Sequence, residues 1–577
     1  MTPTLAFRNA VLLMLCATGL TGCTMVVPYR IAAVPTQHIV MVDSNGRLMD
    51  PTGSVLCRPK RYETDRKQLI KDHPEFVPPP ARPTWEPCNG RFNSIRLLEL
   101  DRRIGDQYVY DADRYIDDLF KQMDVWYADH TPRGQRQKRK LVFIIHGGLN
   151  TNQTTLLRAR NLSNKLLFDG YYPVFINWQS NLFRALWSHL VKVRQGDDRG
   201  YKLAFLAPFY LAADVGKGVS RAPILWTASL SNDFSRAFRA AKRGNILRIR
   251  DEVDEVYARL RNERACCLDD PSCPAIDIQR GDFKFTWGEG AKANARYLPT
   301  GVVPVRMLAN ATGRAAAGPW ALLPMKYLAA PLLDGFGSSA WEDMRRSAVL
   351  GFHTDGSSSD VFGDNPRESG DGGLSRFFMR LEKEIAKNRD VDWELTLLAH
   401  SMGAIVSNHV LHNFPGLEFR RIVYMAGASS VREYEESVLE YMKRHPRTHM
   451  YHLLLDDLAE VHDQYAFEVP PSGSLLVWVD RFFTRPATLR DRTVGRYDNL
   501  IRFLDDTPDQ LKRRVHVRVF GIGGALRNEE PQSHGAFGDF YGEKPREKKF
   551  WDPAFWQTDL PGIDDMDDLH ELLGGSN

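Results

Sequence analysis

The stretch Leu395–Gly403 reads Leu-Thr-Leu-Leu-Ala-His-Ser-Met-Gly and joins a mostly apolar run to a turn around Ser401. Ala404–Leu411, which follows directly, has the residue pattern of a helix. Small residues stand two positions before and two positions after the serine, at Ala399 and Gly403, where the backbones of a strand and a helix pass close together. The stretch therefore predicts a buried strand, a strained turn that carries Ser401, and a helix.

A second apolar run ends in a glycine turn upstream of this stretch. Leu141–Ile145 is continuously apolar, which is typical of a strand buried on both faces of a parallel sheet. It leads into His146-Gly147-Gly148-Leu149-Asn150. Because glycine has no Cβ, its backbone N–H can approach a developing oxyanion closely. The two runs together predict an α/β fold with a mostly parallel sheet.

The turns around Ser401 and after Ile145 resemble those of the α/β-hydrolase superfamily, in particular its lipase- and esterase-like serine hydrolases. The resemblance covers roughly Leu141–Ser180 and Gly372–Asp539. The family signature has Gly two residues before the serine, and Ala399 departs from it by one methyl group. The resemblance implies a sheet of the α/β-hydrolase type and Ser401 as the nucleophile. It also implies an oxyanion hole formed by backbone N–H groups, which would belong to Met402 and to Gly147 or Gly148.

The same resemblance places an acid after a later strand and a histidine after the last strand. Arg421–Ala426 reads as the strand after the serine, and Val431–Arg444 reads as an amphipathic helix. Met450–Leu455 reads as the strand before the acid, and three acids follow it: Asp456, Asp457 and Glu460. The sequence does not choose among them, although proximity to the strand end favours Asp456 or Asp457. Val515–Phe520 reads as the last strand, and a polar, glycine-bearing loop leads from it to His534, the expected general base. His400 is expected to pack against or hydrogen-bond the oxyanion turn.

These residue types predict a serine hydrolase that cleaves ester substrates, which include lipids, through an acyl-serine intermediate. The imidazole takes the serine proton and returns it to the leaving group, while the carboxylate orients the ring. The sequence has neither a zinc-binding His-Glu-x-x-His run nor a phosphate-cradling loop, so no metal and no cofactor is expected. The same triad also serves thioesterases and acyltransferases. A non-catalytic envelope lipoprotein that binds partners through a hydrolase-like fold is the alternative from another class.

The N-terminus resembles a bacterial lipoprotein signal. Ala10–Leu20 is apolar but too short to be a permanent membrane span, and Leu20-Thr21-Gly22-Cys23 resembles the processing box. The resemblance implies cleavage before Cys23 and acyl chains such as palmitate on that residue. Each buried CH₂ contributes about 0.8 kcal/mol to membrane binding. Thr24 in place of Asp favours the outer membrane, so a lipid-anchored protein of the bacterial cell envelope that faces the periplasm is expected.

Composition restricts the partners. The net charge of +4 results from 76 Lys and Arg against 72 Asp and Glu, which argues against dedicated nucleic-acid binding. The expected partners are an acyl-ester or lipid substrate and the membrane, through the N-terminal lipid. The sequence identifies no protein partner. An oxidising periplasm favours disulfide formation. Cys16 would leave with the signal peptide, and Cys23 would carry the lipid. The connectivity stays open among the remaining cysteines, which are Cys57, Cys88, Cys266, Cys267 and Cys273.

The domain organisation follows from these motifs. Between Ser180 and the strand that leads to Ser401 lies a large insertion, which is expected to be mainly helical and to act as a cap or lid. The predicted segments are a signal peptide (1–22), an N-terminal tether or extension (23–97), a first hydrolase part with the oxyanion turn (98–180), the insertion (181–371), a second hydrolase part with the triad (372–545) and an acidic C-terminal tail (546–577). Little regular structure is expected in the proline-rich extension.

Overall fold

The computed structural model describes residues 36–43, 46–49, 112–131, 137–148, 150–180, 185–186, 189–190, 193–194, 197–198, 206–207, 209–221, 277–280, 335, 337–352, 372–455, 459–460, 474–484, 488–520, 531, 533–543 and 548–556. The predicted signal peptide, the seven cysteines including Cys23, Asp456, Asp457 and the end of the acidic tail lie outside these residues. The described part is an α/β protein with a mostly parallel sheet.

The strands are β1 (Ile39–Val42), β2 (Leu48–Met49), β3 (Lys138–Ile145), β4 (Tyr172–Asn177), β5 (Val193–Arg194), β6 (Asp197–Asp198), β7 (Asp277–Arg280), β8 (Asp392–His400), β9 (Phe419–Met425), β10 (His449–Leu455) and β11 (Val515–Phe520).

The α-helices are α1 (Ala112–His130), α2 (Asn152–Phe168), α3 (Ser338–Leu350), α4 (Gly373–Lys387), α5 (Gly403–Asn413), α6 (Val431–Tyr434), α7 (Glu440–Arg444), α8 (Leu475–Trp478), α9 (Tyr497–Asp505), α10 (Asp509–Lys512) and α11 (Pro553–Trp556). Two π-helical turns, Glu435–Leu439 and Val479–Phe483, continue α6 and α8. Short 3₁₀ turns occur at Thr36–His38, Leu489–Asp491 and His534–Asp539.

The chain groups into two compact units. The first comprises Met1–Arg139, Gly148–Ala212 and Ser339–Trp393. The second comprises Lys140–Gly147, Ala213–Ser338 and Glu394–Asn577. The predicted insertion is divided between them, and neither unit consists of the insertion alone.

In the first unit the strand order is β2-β1-β4. β1 pairs antiparallel with β2 and parallel with β4. All four residues of β1 are fully buried, because Ile39-Val40-Met41-Val42 is a continuous apolar run. The Tyr115 hydroxyl of α1 donates a hydrogen bond to the Ile39 carbonyl at 2.8 Å. Part of the region expected to be a tether is therefore integral to this sheet.

In the second unit the strand order is β3-β8-β9-β10-β11-β7. The pairs from β8 to β11 are parallel, and β7 adds to β11 in the same direction. The sequence predicts five of these strands, and each is confirmed within a few residues: β3, β8, β9, β10 and β11. β7 comes from the segment predicted as a mainly helical insertion, which thus also contributes a strand to the sheet.

The register brings the ends of neighbouring strands to one edge of the sheet. His400, the last residue of β8, stands opposite Met425, the last residue of β9. Met425 in turn stands opposite Leu453 of β10, two residues before that strand ends. The turns that follow β8, β9 and β10 therefore emerge close together. In the part of the chain that the structure describes, no helix is both long and apolar enough to cross a bilayer.

Candidate active site

Ser401 has a strained backbone. Its φ is +51°, in the left-handed region that side chains other than glycine rarely adopt. Three backbone hydrogen bonds hold it there. The Ser401 N–H donates to the Met425 carbonyl at 2.8 Å, and the Ser401 carbonyl accepts from the N–H groups of Ala404 at 3.1 Å and Ala428 at 2.8 Å. Such strain costs about 1–3 kcal/mol and clusters at functional sites.

Glycines on both sides of this turn are required by close packing. A Cβ on Gly403 would lie 2.6 Å from the Ile145 carbonyl oxygen at the end of β3. A Cβ on Gly147 would lie 2.8 Å from the Cβ of Ser401. These distances are below any ordinary contact between heavy atoms, so the turn after β3 and the turn after β8 touch through their backbones.

A second strained turn supports the first one and was not anticipated from the sequence. Ala426, directly after β9, has a φ of +47° and donates its N–H to the Leu453 carbonyl at 2.8 Å. Gly495 packs against Gly427, the residue after Ala426, since a Cβ on Gly495 would lie 2.3 Å from the Gly427 carbonyl oxygen. The run of small residues Ala426-Gly427-Ala428-Ser429-Ser430 is the sequence signal for this close approach.

His534 lies beside Ser401. Its Nε2 is 2.9 Å from Ser401 Oγ, and both residues are about 2% exposed. When the imidazole carries its hydrogen on Nδ1, the serine hydroxyl donates to Nε2, which is the arrangement needed for proton transfer from Oγ. His534 begins the 3₁₀ turn His534–Asp539, within which Phe537 is fully buried and packs edge-on against Phe520 of β11.

Glu460 lies on the other side of the imidazole. Its Oε1 is 3.7 Å from His534 Nδ1, which is within ion-pair distance but longer than a hydrogen bond. The residue is fully buried, and neither carboxylate oxygen has a hydrogen-bond partner among the residues that the structure describes. The Ser474 N–H donates to the Glu460 carbonyl at 2.7 Å and fixes the backbone there. A buried carboxylate is costly unless it is paired or hydrogen-bonded, and the His534 imidazole lies within ion-pair distance of this one.

Of the three candidate acids, Glu460 is the one that lies among the described residues. Asp456 and Asp457, which proximity to the end of β10 favoured, lie outside them. Three residues that are widely separated in the sequence, Ser401, Glu460 and His534, are thus brought together after β8, β10 and β11.

Two of the predicted oxyanion residues, Met402 and Gly147, lie in the turns at the serine. Met402 is fully buried and immediately precedes helix α5, whose N-terminal end carries a positive partial charge. Gly147 contacts the Ser401 turn as described above. Gly148 is buried in the turn after β3, and its carbonyl accepts a hydrogen bond from the Asn150 side chain at 3.4 Å.

His400 contacts both the backbone of His534 and the glycine turn after β3. Its Nε2 is 2.9 Å from the backbone carbonyl oxygen of His534. Its Nδ1 would lie 3.0 Å from a Cβ on Gly147, so the ring also packs against the turn after β3. Packing against that turn matches the expectation from the sequence, whereas the bond to the His534 backbone was not anticipated.

The site holds a hydroxyl, a base within hydrogen-bond distance of it, and a buried carboxylate next to the base. This combination can activate a serine for attack on a carbonyl carbon. Within the described ranges, no group of three or more His, Cys, Asp and Glu side chains is arranged to hold a metal ion.

Comparisons with known proteins do not assign the chain to a family. No family model, no curated protein and no solved structure matches it.

Proposed function

We propose that the protein is a serine hydrolase that cleaves carboxylic esters, lipid esters among them, through an acyl-serine intermediate. The observation that carries the proposal is the 2.9 Å separation of His534 Nε2 and Ser401 Oγ, with the serine held on a strained turn between a strand and a helix. A serine hydroxyl is a weak nucleophile unless such a base is within reach.

In the proposed mechanism, His534 accepts the Ser401 proton as Oγ attacks the ester carbonyl carbon. The imidazolium then gives this proton to the leaving alcohol, and an acyl-serine remains. Water then attacks the acyl carbon while the imidazole takes one of its protons, and the imidazolium gives this proton to Ser401 Oγ as the carboxylic acid is released. Each step moves one proton between the imidazole and an oxygen atom, so the enzyme returns to its initial state.

We assign the acid to Glu460 instead of Asp456 or Asp457. Its buried carboxylate lies 3.7 Å from His534 Nδ1. In structures without substrate, catalytic hydrogen bonds are often long and shorten in the complex. A carboxylate at this position keeps the hydrogen on Nδ1 and stabilises the imidazolium.

The oxyanion of the tetrahedral intermediate is assigned to the backbone N–H of Met402 together with that of Gly147 or Gly148. The close approach of Gly147 to Ser401 supports this choice, since it leaves no room for a side chain between the two turns. Removal of one donor from an oxyanion hole typically costs about 3–4 kcal/mol of transition-state stabilisation.

The α/β-hydrolase type of fold belongs to the same proposal. The nucleophile follows β8, the acid follows β10 and the base follows β11, in the chain order of that superfamily. Within residues 181–371, the role of a cap over the site is assigned to the segments other than β7, since β7 belongs to the sheet. Cys23 is assigned the role of a lipid-carrying residue that anchors the protein to the outer membrane. Membrane fractionation of Cys23→Ala tests the anchor, because unchanged attachment with normal processing contradicts it.

Ester hydrolysis tests the activity. Wild-type protein and Ser401→Ala are compared on p-nitrophenyl esters of short and long acyl chains, in the presence and absence of detergent. Loss of turnover in Ser401→Ala with unchanged circular dichroism is expected. Ser375→Ala is the matched control, since it removes another buried serine hydroxyl, one that donates to the Phe352 carbonyl. Equal turnover in Ser401→Ala and the wild type would contradict the proposal.

A further inference from the structure

His400 makes a contact that the proposed mechanism does not use. Its Nε2 lies 2.9 Å from the backbone carbonyl oxygen of His534. Because a carbonyl oxygen only accepts hydrogen bonds, Nε2 carries a hydrogen and donates it. The bond joins the residue directly before the nucleophile to the main chain of the base.

The surroundings of His400 restrict its ring. The residue is 9% exposed, and its ring centroid lies 5.3 Å from that of His534 and 6.4 Å from that of Phe537. On another side, its Nδ1 faces Gly147, where a Cβ would lie only 3.0 Å away. The ring therefore lies between the glycine turn and the segment that carries the base.

Two hydrogen bonds consequently attach His534 to consecutive residues of the nucleophile turn. The His534 imidazole bonds Ser401 Oγ, while the His534 backbone bonds the His400 side chain. A histidine side chain rotates about two bonds between its backbone and its ring. Fixing both the backbone and the ring tip leaves little freedom in the distance between Nε2 and Oγ.

We propose that His400 is a positioning residue, whose Nε2–H bond to the His534 carbonyl holds the base at the distance from which it reaches Ser401. This inference rests on the proposed hydrolase function, and it adds a residue that acts through the base without touching the substrate. Catalysis depends steeply on such distances, since a misplacement of about 1 Å can cost about 100-fold in rate.

The test separates the hydrogen bond from the bulk and polarity of the side chain. The amide nitrogen of His400→Gln reaches about as far as Nε2 of histidine and keeps a donor. His400→Asn is equally polar but one methylene shorter, so its amide does not reach the His534 carbonyl. His400→Phe retains a ring without a donor, and it keeps the test decisive where the Asn variant does not fold.

Loss of the donor is expected to lower kcat for p-nitrophenyl ester hydrolysis by about 10- to 100-fold, with KM within about 3-fold of the wild type. His400→Gln is expected to retain kcat within about 3-fold. The rate constant for labelling of Ser401 by a fluorophosphonate should change in parallel, because it depends on the same proton transfer. Retained kcat in His400→Asn and His400→Phe, or a loss in His400→Gln as large as that in His400→Asn, would overturn the inference.

His445→Asn is the matched control. His445 Nε2 makes the same kind of bond, at 2.9 Å to the Pro415 carbonyl oxygen, in the loop after α7. Its substitution removes a bond of the same type without any contact to the triad, so kcat is expected to stay within about 2-fold of the wild type. Absence of ester hydrolysis in the wild type would contradict the proposed function itself, which distinguishes that failure from failure of the His400 assignment alone.

Discussion

Gly147 allows the turn after β3 to approach the nucleophile closely. Its missing side chain allows the turn after β3 to lie against Ser401, where a Cβ would be 2.8 Å from the Cβ of the serine. Both atoms belong to backbone-anchored positions, so a flexible side chain cannot move away to relieve the clash. An alanine at this position must therefore displace one of the two turns.

We predict that Gly147→Ala lowers kcat by about 100-fold, because displacing the turn by about 1 Å misplaces the nucleophile or the oxyanion donor. Steady-state kinetics on a soluble ester measures the effect. Gly535→Ala is the control. It changes the residue next to His534, but a Cβ there would meet no heavy atom of the described residues within 4 Å apart from its chain neighbours. The activity of this variant should stay close to that of the wild type. Equal kcat values in the two variants would contradict the assignment of Gly147.

Glu460 is the residue for which sequence and geometry lead to different choices. We predict that Glu460→Gln lowers kcat by about 10³- to 10⁴-fold, because the imidazole loses the charge that fixes its tautomer. Asp456→Asn and Asp457→Asn, measured with the same substrate, should each stay within about 3-fold of the wild type. A larger loss of kcat in either aspartate variant than in Glu460→Gln would contradict the assignment of Glu460 and favour the aspartate at the end of β10.

A buried ion pair connects the segments that support the nucleophile turn. Asp480, in the π-helical turn Val479–Phe483, accepts hydrogen bonds from the Thr493 N–H at 2.8 Å and the Asn499 side chain at 2.8 Å. Arg496 forms an ion pair with Asp480 at 3.2 Å, and the side chains of Arg496 and Asp480 are 7% and 2% exposed. The loop that carries Thr493 and Arg496 also packs on the turn after β9, through Gly495. Asp480 therefore stabilises the packing that keeps Ala426 and Ser401 in their strained conformations.

We predict that Asp480→Asn lowers the free energy of unfolding by about 3 kcal/mol, because Arg496 stays buried without this counter-charge. Urea unfolding followed by circular dichroism measures the change. Glu418→Gln is the control, since it removes an exposed ion pair: the side chains of Glu418 and Arg447 are 42% and 67% exposed. This substitution should lower the free energy of unfolding by less than about 1 kcal/mol. A change in Asp480→Asn no larger than in the control would contradict the structural role of the pair.

The sequence predicts those strands whose burial is encoded in consecutive apolar residues. β3, β8, β9 and β10 have this pattern, which is typical of strands buried on both faces of a parallel sheet, whereas β11 (Val-His-Val-Arg-Val-Phe) alternates apolar with polar residues. β7 does not have it, since Asp-Ile-Gln-Arg contains a single apolar residue, and its place is determined by pairing with β11. β1 has the pattern, but it lies in the proline-rich region for which a tether is predicted, so it is not assigned as a strand from the sequence.

The helix predicted over Val431–Arg444 is three segments in the structure, α6, the π-helical turn and α7. A π-helical turn places one extra residue in the helical ladder without altering the amphipathic pattern much, so periodicity does not detect it. The acid of the triad is difficult to assign from the sequence for a related reason. Residue spacing after β10 gives the position of each acid along the chain, whereas its distance from His534 depends on the path of a loop.

Two buried histidines make the whole molecule sensitive to acid. His452 of β10 is fully buried between Tyr424 and Tyr434, and neither of its ring nitrogens has a hydrogen-bond partner within the described ranges. Burial lowers its pKa from 6.5 to about 3. Burial also lowers the pKa of His38 to about 4, an effect that the hydrogen bond from Nδ1 to the Pro173 carbonyl partly opposes. Both are therefore neutral in the folded protein at pH values where they are charged in the unfolded chain.

The sign of the pH dependence follows from proton binding. Between about pH 6.5 and pH 4, the unfolded chain binds more protons at these histidines than the folded protein does. The free energy of unfolding should therefore decrease as the pH falls below 6.5, by about 1.4 kcal/mol per pH unit for each histidine. Above pH 6.5 both states hold the two rings neutral, and this contribution to the pH dependence disappears.

His452→Phe isolates one of the two contributions. The variant is expected to reduce the slope of unfolding free energy against pH, measured by urea titrations from pH 7 to pH 4.5, by about 1.4 kcal/mol per pH unit. At pH 7 its stability should be close to that of the wild type, since an apolar ring replaces a buried group without hydrogen bonds. Identical slopes in the variant and the wild type would contradict this account of His452.

Labelling with a fluorophosphonate shows whether Ser401 is activated. The probe reacts with a serine that a neighbouring base activates, and mass spectrometry of the digested protein then identifies the modified peptide. One adduct is expected, on Ser401, and it should be absent in Ser401→Ala and much slower to form in His534→Ala. Folded wild-type protein that stays unlabelled with and without detergent, or an adduct on another serine, would contradict it.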